Sequence, residues 1–103
     1  MYIYNVTVKI DNQLATDWLA WMQTTHIPDV MATGMFVAYK ICRLLSNDDD
    51  GMTYAIQYQC KDLATLQRYS AQYAPKLQAE HATRYANKYV AFRTVLEVLK
   101  EEG

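Results

Sequence analysis

Glycine and proline together fill only five of the 103 positions, which excludes collagen-like and low-complexity chains. At 51% hydrophobic residues the chain is not a disordered one either. An excess of one charge is also missing, because ten basic and eleven acidic side chains leave a net charge of −1. Domains that grip a phosphate backbone usually carry a basic excess, so nucleic acid is not expected as a partner. No apolar run approaches the ~18 residues of a membrane span. The first basic residue, Lys9, falls inside a predicted strand rather than ahead of an apolar stretch. A soluble, cytoplasmic chain with no membrane partner is therefore expected.

Cysteine is scarce. Cys42 and Cys60 fall on neighbouring strands of a predicted hairpin turning at Asn47-Asp48-Asp49-Asp50-Gly51. Pairing across that loop sets Cys60 opposite residues near Ala38, and the four positions from there to Cys42 span roughly 13 Å. A disulfide tolerates a Cα separation of only ~7 Å, so two free thiols are expected, as in a reducing compartment. The chain has no HExxH, CxxC, Gly-rich phosphate loop or Ser-His-Asp order, so it implies neither a metal nor a cofactor. Asp48, Asp49 and Asp50 with Gly51 match the start of a calcium loop. They lack its distal Glu and following helix, and read as a plain turn.

What is present is an order of elements, β-α-β-β-α-β, that uses the whole chain as one domain, residues 1–103. A chain of this size buries about two-thirds of its unfolded surface, enough for a core without staples. Tyr2, Tyr4, Val6, Val8 and Ile10 alternate against Asn5, Thr7 and Lys9, the period of a half-buried strand. Asp11 and Asn12 are suited to cap the next element, and Leu14, Trp18, Trp21 and Met22 recur at helical spacing. Met35 to Leu45 and Met52 to Cys60 are β-forming. Asp62 caps a second helix carrying Leu63, Leu66, Tyr69, Tyr73 and Leu77, which Pro75 must kink or restart. Val90 to Leu99 closes the sheet. Right-handed crossovers on this order predict an α+β, ferredoxin-like, four-stranded antiparallel sheet, order 4-1-3-2, with both helices on one face.

The other face is then the open question. The aliphatic and aromatic set on strands one, three and four, including Phe92, Thr94, Leu96 and Val98, is expected to meet the helices. The opposite set is mixed: Ile3, Asn5 and Thr7, then Ala55, Gln57 and Gln59, then Arg93, Val95 and Glu97. Strand two stays unassigned, because a slip of one residue exchanges its faces. A mixed face cannot be sealed dry, since an unpaired buried cation or amide costs several kcal/mol. Two such faces can pack through their apolar positions, which points to a homodimer.

His26-Ile27-Pro28-Asp29 followed by Gly34 is the most distinctive run. Ile27 precedes proline and is expected to leave helical geometry. Pro28 then opens a one-turn helix that Gly34 ends, with His26 at the corner between the two. Either His26 bonds the free carbonyls ending the first helix, or it serves as proton acceptor or donor at the mouth of a cavity. Trp18 and Trp21 read as core, and Tyr54 and Tyr58 as possible cavity walls. His81, Arg84 and Tyr85 read as a solvated helix face. Arg43 and Arg93 are the candidates for binding a carboxylate or another anion, and an interface salt bridge explains them equally well.

Tyr4-Asn5-Val6-Thr7, Trp18, His26-Ile27-Pro28, Thr33-Gly34, Gln57-Tyr58, Tyr69, Ala74-Pro75, Leu77 and Phe92-Arg93-Thr94 together resemble a family of small bacterial proteins described only as a domain of unknown function. The βαββαβ order with His-x-Pro after the first helix more broadly resembles the dimeric α/β barrel superfamily. That group includes antibiotic-biosynthesis-type monooxygenases, muconolactone-isomerase-like proteins and stress-responsive barrel proteins. The resemblance implies a homodimer with facing sheets and a small hydrophobic or anionic organic ligand between sheet and helices. His26 would be its acid or base, Arg43 or Arg93 would orient an anionic group, and Trp18 and Tyr58 would form the walls. Three alternatives stay open: a non-enzymatic interaction or regulatory module using the open sheet face, a cofactor-independent monooxygenase or isomerase, and an RNA-recognition-like domain.

Overall fold

Each of the period-two segments becomes a strand of one sheet. The computed structural model describes residues 1–45 and 50–103. Asn47, Asp48 and Asp49 of the predicted turn lie outside the described residues. β1 (Tyr2–Ile10), β2 (Ala38–Arg43), β3 (Met52–Cys60) and β4 (Tyr89–Glu97) form a four-stranded antiparallel sheet in the order β2-β3-β1-β4, open at both edges and not closed into a barrel. Four helices connect the strands: α1 (Ala15–Trp21), α2 (Ile27–Ala32), α3 (Leu63–Gln72) and α4 (Ala74–Arg84). None is long and apolar enough to cross a membrane.

The helices cover the face that carries Tyr4, Val8, Ile10, Tyr54, Ile56, Tyr58 and Cys60. These pack with Trp18, Met22, Ile27, Val30, Leu66 and Tyr69 into a single core. Asp62 starts α3 as expected, its Oδ1 accepting from the Thr65 N–H at 2.7 Å. Pro75 restarts the helix as α4 after a break at Tyr73. Gly34 takes φ +76°, a left-handed turn that ends α2 at little steric cost. Cys42 and Cys60 are both free. Asp11 precedes a short 3-10 turn without forming a side-chain cap.

Three expectations are overturned. First, no corner forms at His26. Ile27 keeps helical angles (φ −63°, ψ −44°), and α1 runs into α2 through a π turn, Met22–His26. Proline has no N–H to return to the preceding turn. The chain widens instead, and the Ile27 N–H bonds the Met22 carbonyl five residues back. Second, β4 shows its other side. Val6 pairs with Arg93 and Tyr4 with Val95, so Arg93, Val95 and Glu97 share the helix side with the core residues. Phe92, Thr94 and Leu96 lie opposite Thr7, Asn5 and Ile3 on the open face. The helices cover β4 only in part, with Tyr89 and Ala91 against the core and no residue of the strand fully buried, so hydrophobicity did not set which face turns inward. Third, His81 and Tyr85 are buried, on the stripe Ala74, Leu77, His81 and Tyr85 at spacings of three and four. On β2, Tyr39, Ile41 and Arg43 pair with Tyr58, Ile56 and Tyr54, which settles its helix-side set.

Candidate functional site

Helical spacing of four places Trp18, Met22, His26 and Val30 along one side of α1, the π turn and α2. In an ideal α-helix such a stripe drifts by about 40° per step. The wider π turn counters that drift and holds His26 over the sheet. There it lines a cavity between β1, β3 and β4 below and the helices above. Tyr4, Val6, Val8 and Tyr58 form the floor, Met22, Val30, Tyr69 and Leu77 the roof, and Gln78, His81 and Arg93 the polar margin. The space inside is about 30 Å³, room for water or a head group of a few atoms.

Two imidazoles meet here, their ring centroids 5.8 Å apart. His81 is fixed: its Nε2 accepts from the Trp18 Nε1–H at 2.9 Å, and its ring abuts Tyr89 edge-on at 4.5 Å. Trp18, fully buried beneath it, therefore acts on the cavity through His81 rather than lining it. His26 stacks on Trp21 at 5.1 Å, but its buried Nδ1 has no hydrogen-bond partner. Burial lowers both histidines to about 4, assisted by the positive charge of Arg93, while Asp29 opposes the shift at His26. Both rings are accordingly uncharged at neutral pH and able to exchange hydrogen bonds with a bound molecule.

Arg93 reaches into this margin from β4, where it and Gln78 face the Tyr4 hydroxyl and temper the rise that burial imposes on it. No acidic residue lines the cavity, and Arg93 forms no ion pair with a carboxylate among the described residues. Behind it Tyr4, Phe36, Tyr58 and Tyr69 form an aromatic wall, with Phe36 and Tyr69 at 4.8 Å. Burial pushes the hydroxyls of Tyr4, Tyr58 and Tyr69 well up, so they stay protonated donors. The chemistry on offer is one cation, uncharged imidazoles and phenols against an apolar wall. That set recognises an anion bearing an apolar body.

The structure thus brings His26, Arg93 and Tyr58 to one cavity, with Trp18 one bond behind. Arg43 lies elsewhere. Its guanidinium sits 5.7 Å over the Tyr54 ring, in a separate groove with Asn12, Thr16 and Gln23. Sequence reasoning missed His81, although its helical spacing with Leu77 and Tyr85 marked it as inward-facing. Among the described residues no cluster of three metal-ligating side chains occurs. The thiol of Cys60 is engaged with the Met35 and Asp62 carbonyls, away from the cavity.

Several solved structures share this architecture. A dimeric ferredoxin-like protein from an uncultured marine organism superposes with a TM-score of 0.71 at 12% identity, over 98% of this chain and 97% of that one. HapK from Hahella chejuensis gives 0.72 at 13%, over 100% and 97%. SnoaB from Streptomyces nogalater, a cofactor-independent oxygenase, gives 0.65 at 13%, over 97% and 95%. At such identities the likeness is one of fold. No curated protein matches the sequence itself. The family model of a domain of unknown function, DUF4286, matches residues 1–99, and the chain belongs to that family.

Proposed function

We propose that this protein is a homodimer joined through the open faces of its sheets, and that each protomer binds a small organic anion between sheet and helices. The observation that carries the binding reading is an exposed cation beside a buried, unsatisfied nitrogen at one cavity. The Arg93 guanidinium has no carboxylate partner among the described residues, and the Nδ1 of His26 is buried with no hydrogen bond. A buried nitrogen left so costs about 1–3 kcal/mol. A bound carboxylate would answer both, taking charge-assisted bonds from Arg93 and a bond from the imidazole. Tyr58 and Tyr4 would supply the apolar wall. The dimer reading is supported by the dimeric relative of the same fold and by Val90 (67% exposed), Phe92 (60%) and Leu96 (45%) on the open face. Contiguous apolar patches of this kind mark association surfaces.

Titration with acetate, butyrate and benzoate, followed by the ring signals of His26 and His81, tests the binding reading. Saturable shifts are expected for at least one carboxylate. Arg93→Gln should weaken its binding tenfold or more, since a bond to a charged group contributes about 1.5–3 kcal/mol. His26→Ala should weaken binding while leaving Tm within a few degrees. Carboxylates that leave both rings unmoved, or that bind Arg93→Gln as well as the parent protein, would overturn it.

A further inference from the structure

The cavity beside Arg93 is too small for a whole organic ligand, and a second space lies near it on the same side of β4. At about 30 Å³ it admits a head group only, against the several hundred Å³ of ordinary ligand pockets. Two residues further along the same side of β4 lies Val95, about 7 Å away. Val95 forms one wall of a second, open groove of about 540 Å³ between β4 and α3, lined by Leu63, Leu66, Gln67, Ser70 and Ala71. Tyr69 roofs the cavity and its neighbour Ser70 borders the groove, so α3 and β4 each contribute to both spaces. No charged side chain lines the groove. Leu63 and Val95 hold their apolar side chains 45% and 50% exposed along it. From Leu63 to Ala71, α3 rises about 12 Å.

We infer that the ligand is an aliphatic carboxylate, its head at Arg93 and His26 and its tail along the groove between α3 and β4. This rests on the binding reading above and adds the class of molecule. The cavity sets the charge and small size of the head. The groove sets the tail: unbranched, apolar and half open to solvent. A rigid polycyclic acid would not turn from the small cavity into the shallow groove, and a charged tail would find no counter-ion among the groove's lining residues.

Chain length is the probe. Full burial of a methylene tightens binding about fourfold, so a half-open groove should give about twofold, and octanoate should bind on the order of tenfold more tightly than butyrate. Octylammonium chloride, with the same tail and the opposite charge, should bind at least tenfold more weakly than octanoate. Ser70→Trp places a large ring in the groove from an exposed helix position. It should leave butyrate affinity within twofold while flattening the dependence on length. Val95→Asn should flatten it partly, without filling the space. Failure of all carboxylates to bind would remove the binding reading itself. Equal affinity for butyrate and octanoate, an undiminished length dependence in both variants, or octylammonium binding as tight as octanoate would overturn the tail assignment alone. So would dissociation of a dimer by octanoate in light scattering, which would give the groove to the partner protomer.

Discussion

β1 and β4 lie side by side over nine paired residues, yet β1 buries three side chains and β4 buries none. Tyr4, Val8 and Ile10 on β1 are buried beneath the helices, as are Tyr54 and Tyr58 on β3, while Met52 opposite Ile10 is half-buried. On β4 no residue is fully buried. Its open side presents Val90, Phe92 and Leu96, and its helix side presents Arg93 and Val95. The helix layer seals the two central strands, β1 and β3, and leaves both edge strands, β2 and β4, largely exposed. An edge strand with exposed apolar residues on one side and a cation without a carboxylate partner on the other leaves both sides open to association. Its two sides suit two different occupants: a second sheet on the open face, and an organic anion beneath the helices.

The widest way to break that contrast is to charge the open side. Phe92→Asp with Leu96→Asp should convert a dimer to a monomer in light scattering, with a dissociation constant at least a hundredfold higher. Each buried apolar side chain contributes about 1.5–3 kcal/mol, and a two-fold interface counts it twice. Val95→Asp, on the other side of the same strand, should leave the mass unchanged. A parent protein that already runs as a monomer, or a double variant that still pairs, would leave the open face without its twin.

Acid sharpens the contrast from within, because the protected region holds two imidazoles, His81 buried and His26 half-buried, and the exposed strand none. Both histidines are lowered from 6.5 to about 4 by burial. Between those values the unfolded chain binds protons that the folded one refuses, so stability should be full above pH 6.5 and fall as pH drops towards 4. At about 1.4 kcal/mol per unit, reduced for residual solvent screening and for the coupling of the two rings, the loss is on the order of 3 kcal/mol. For a chain of this size that is a fall in Tm of roughly 10–20 °C. Asp50 and Asp62, held below the usual carboxylate range by Lys9 and by the Thr65 backbone, lose their contributions only at lower pH, which keeps the two effects separable. A flat Tm between pH 6.5 and 4.5 would mean that the imidazoles are solvated.

The same contrast explains what was legible in the sequence. β1 and β3 alternate cleanly because one of their faces is sealed, and period, register and burial agree there residue by residue. Asp62, Pro75 and Gly34 were legible because each acts through its own backbone chemistry. β4 misled because alternation identifies two faces and hydrophobicity was trusted to rank them, a ranking that holds only where a core waits on one side. The Pro28 rule misled because a helix can widen by one residue instead of breaking. Of the candidate site, His26, Tyr58 and Arg93 were named from their residue types alone. His81 was passed over for its polarity although its spacing pointed inward.

The two histidines give the finest comparison, because they share a cavity and a lowered basicity but not a bonding state. His81 accepts from Trp18, a donor with no access to water. His81→Leu keeps the volume and strands that donor, so it should cost about 1–3 kcal/mol, read as a lower urea midpoint with an unchanged slope. His26 has an orphaned Nδ1 and makes mainly ring contacts. His26→Leu removes a polar atom that folding left unsatisfied, so it should shift stability by less than about 1 kcal/mol, in either direction. The same variant should bind carboxylates at least several-fold more weakly. If His26→Leu instead destabilises as much as His81→Leu and leaves carboxylate binding untouched, the imidazole belongs to the core, and Arg93 alone remains to recognise an anion.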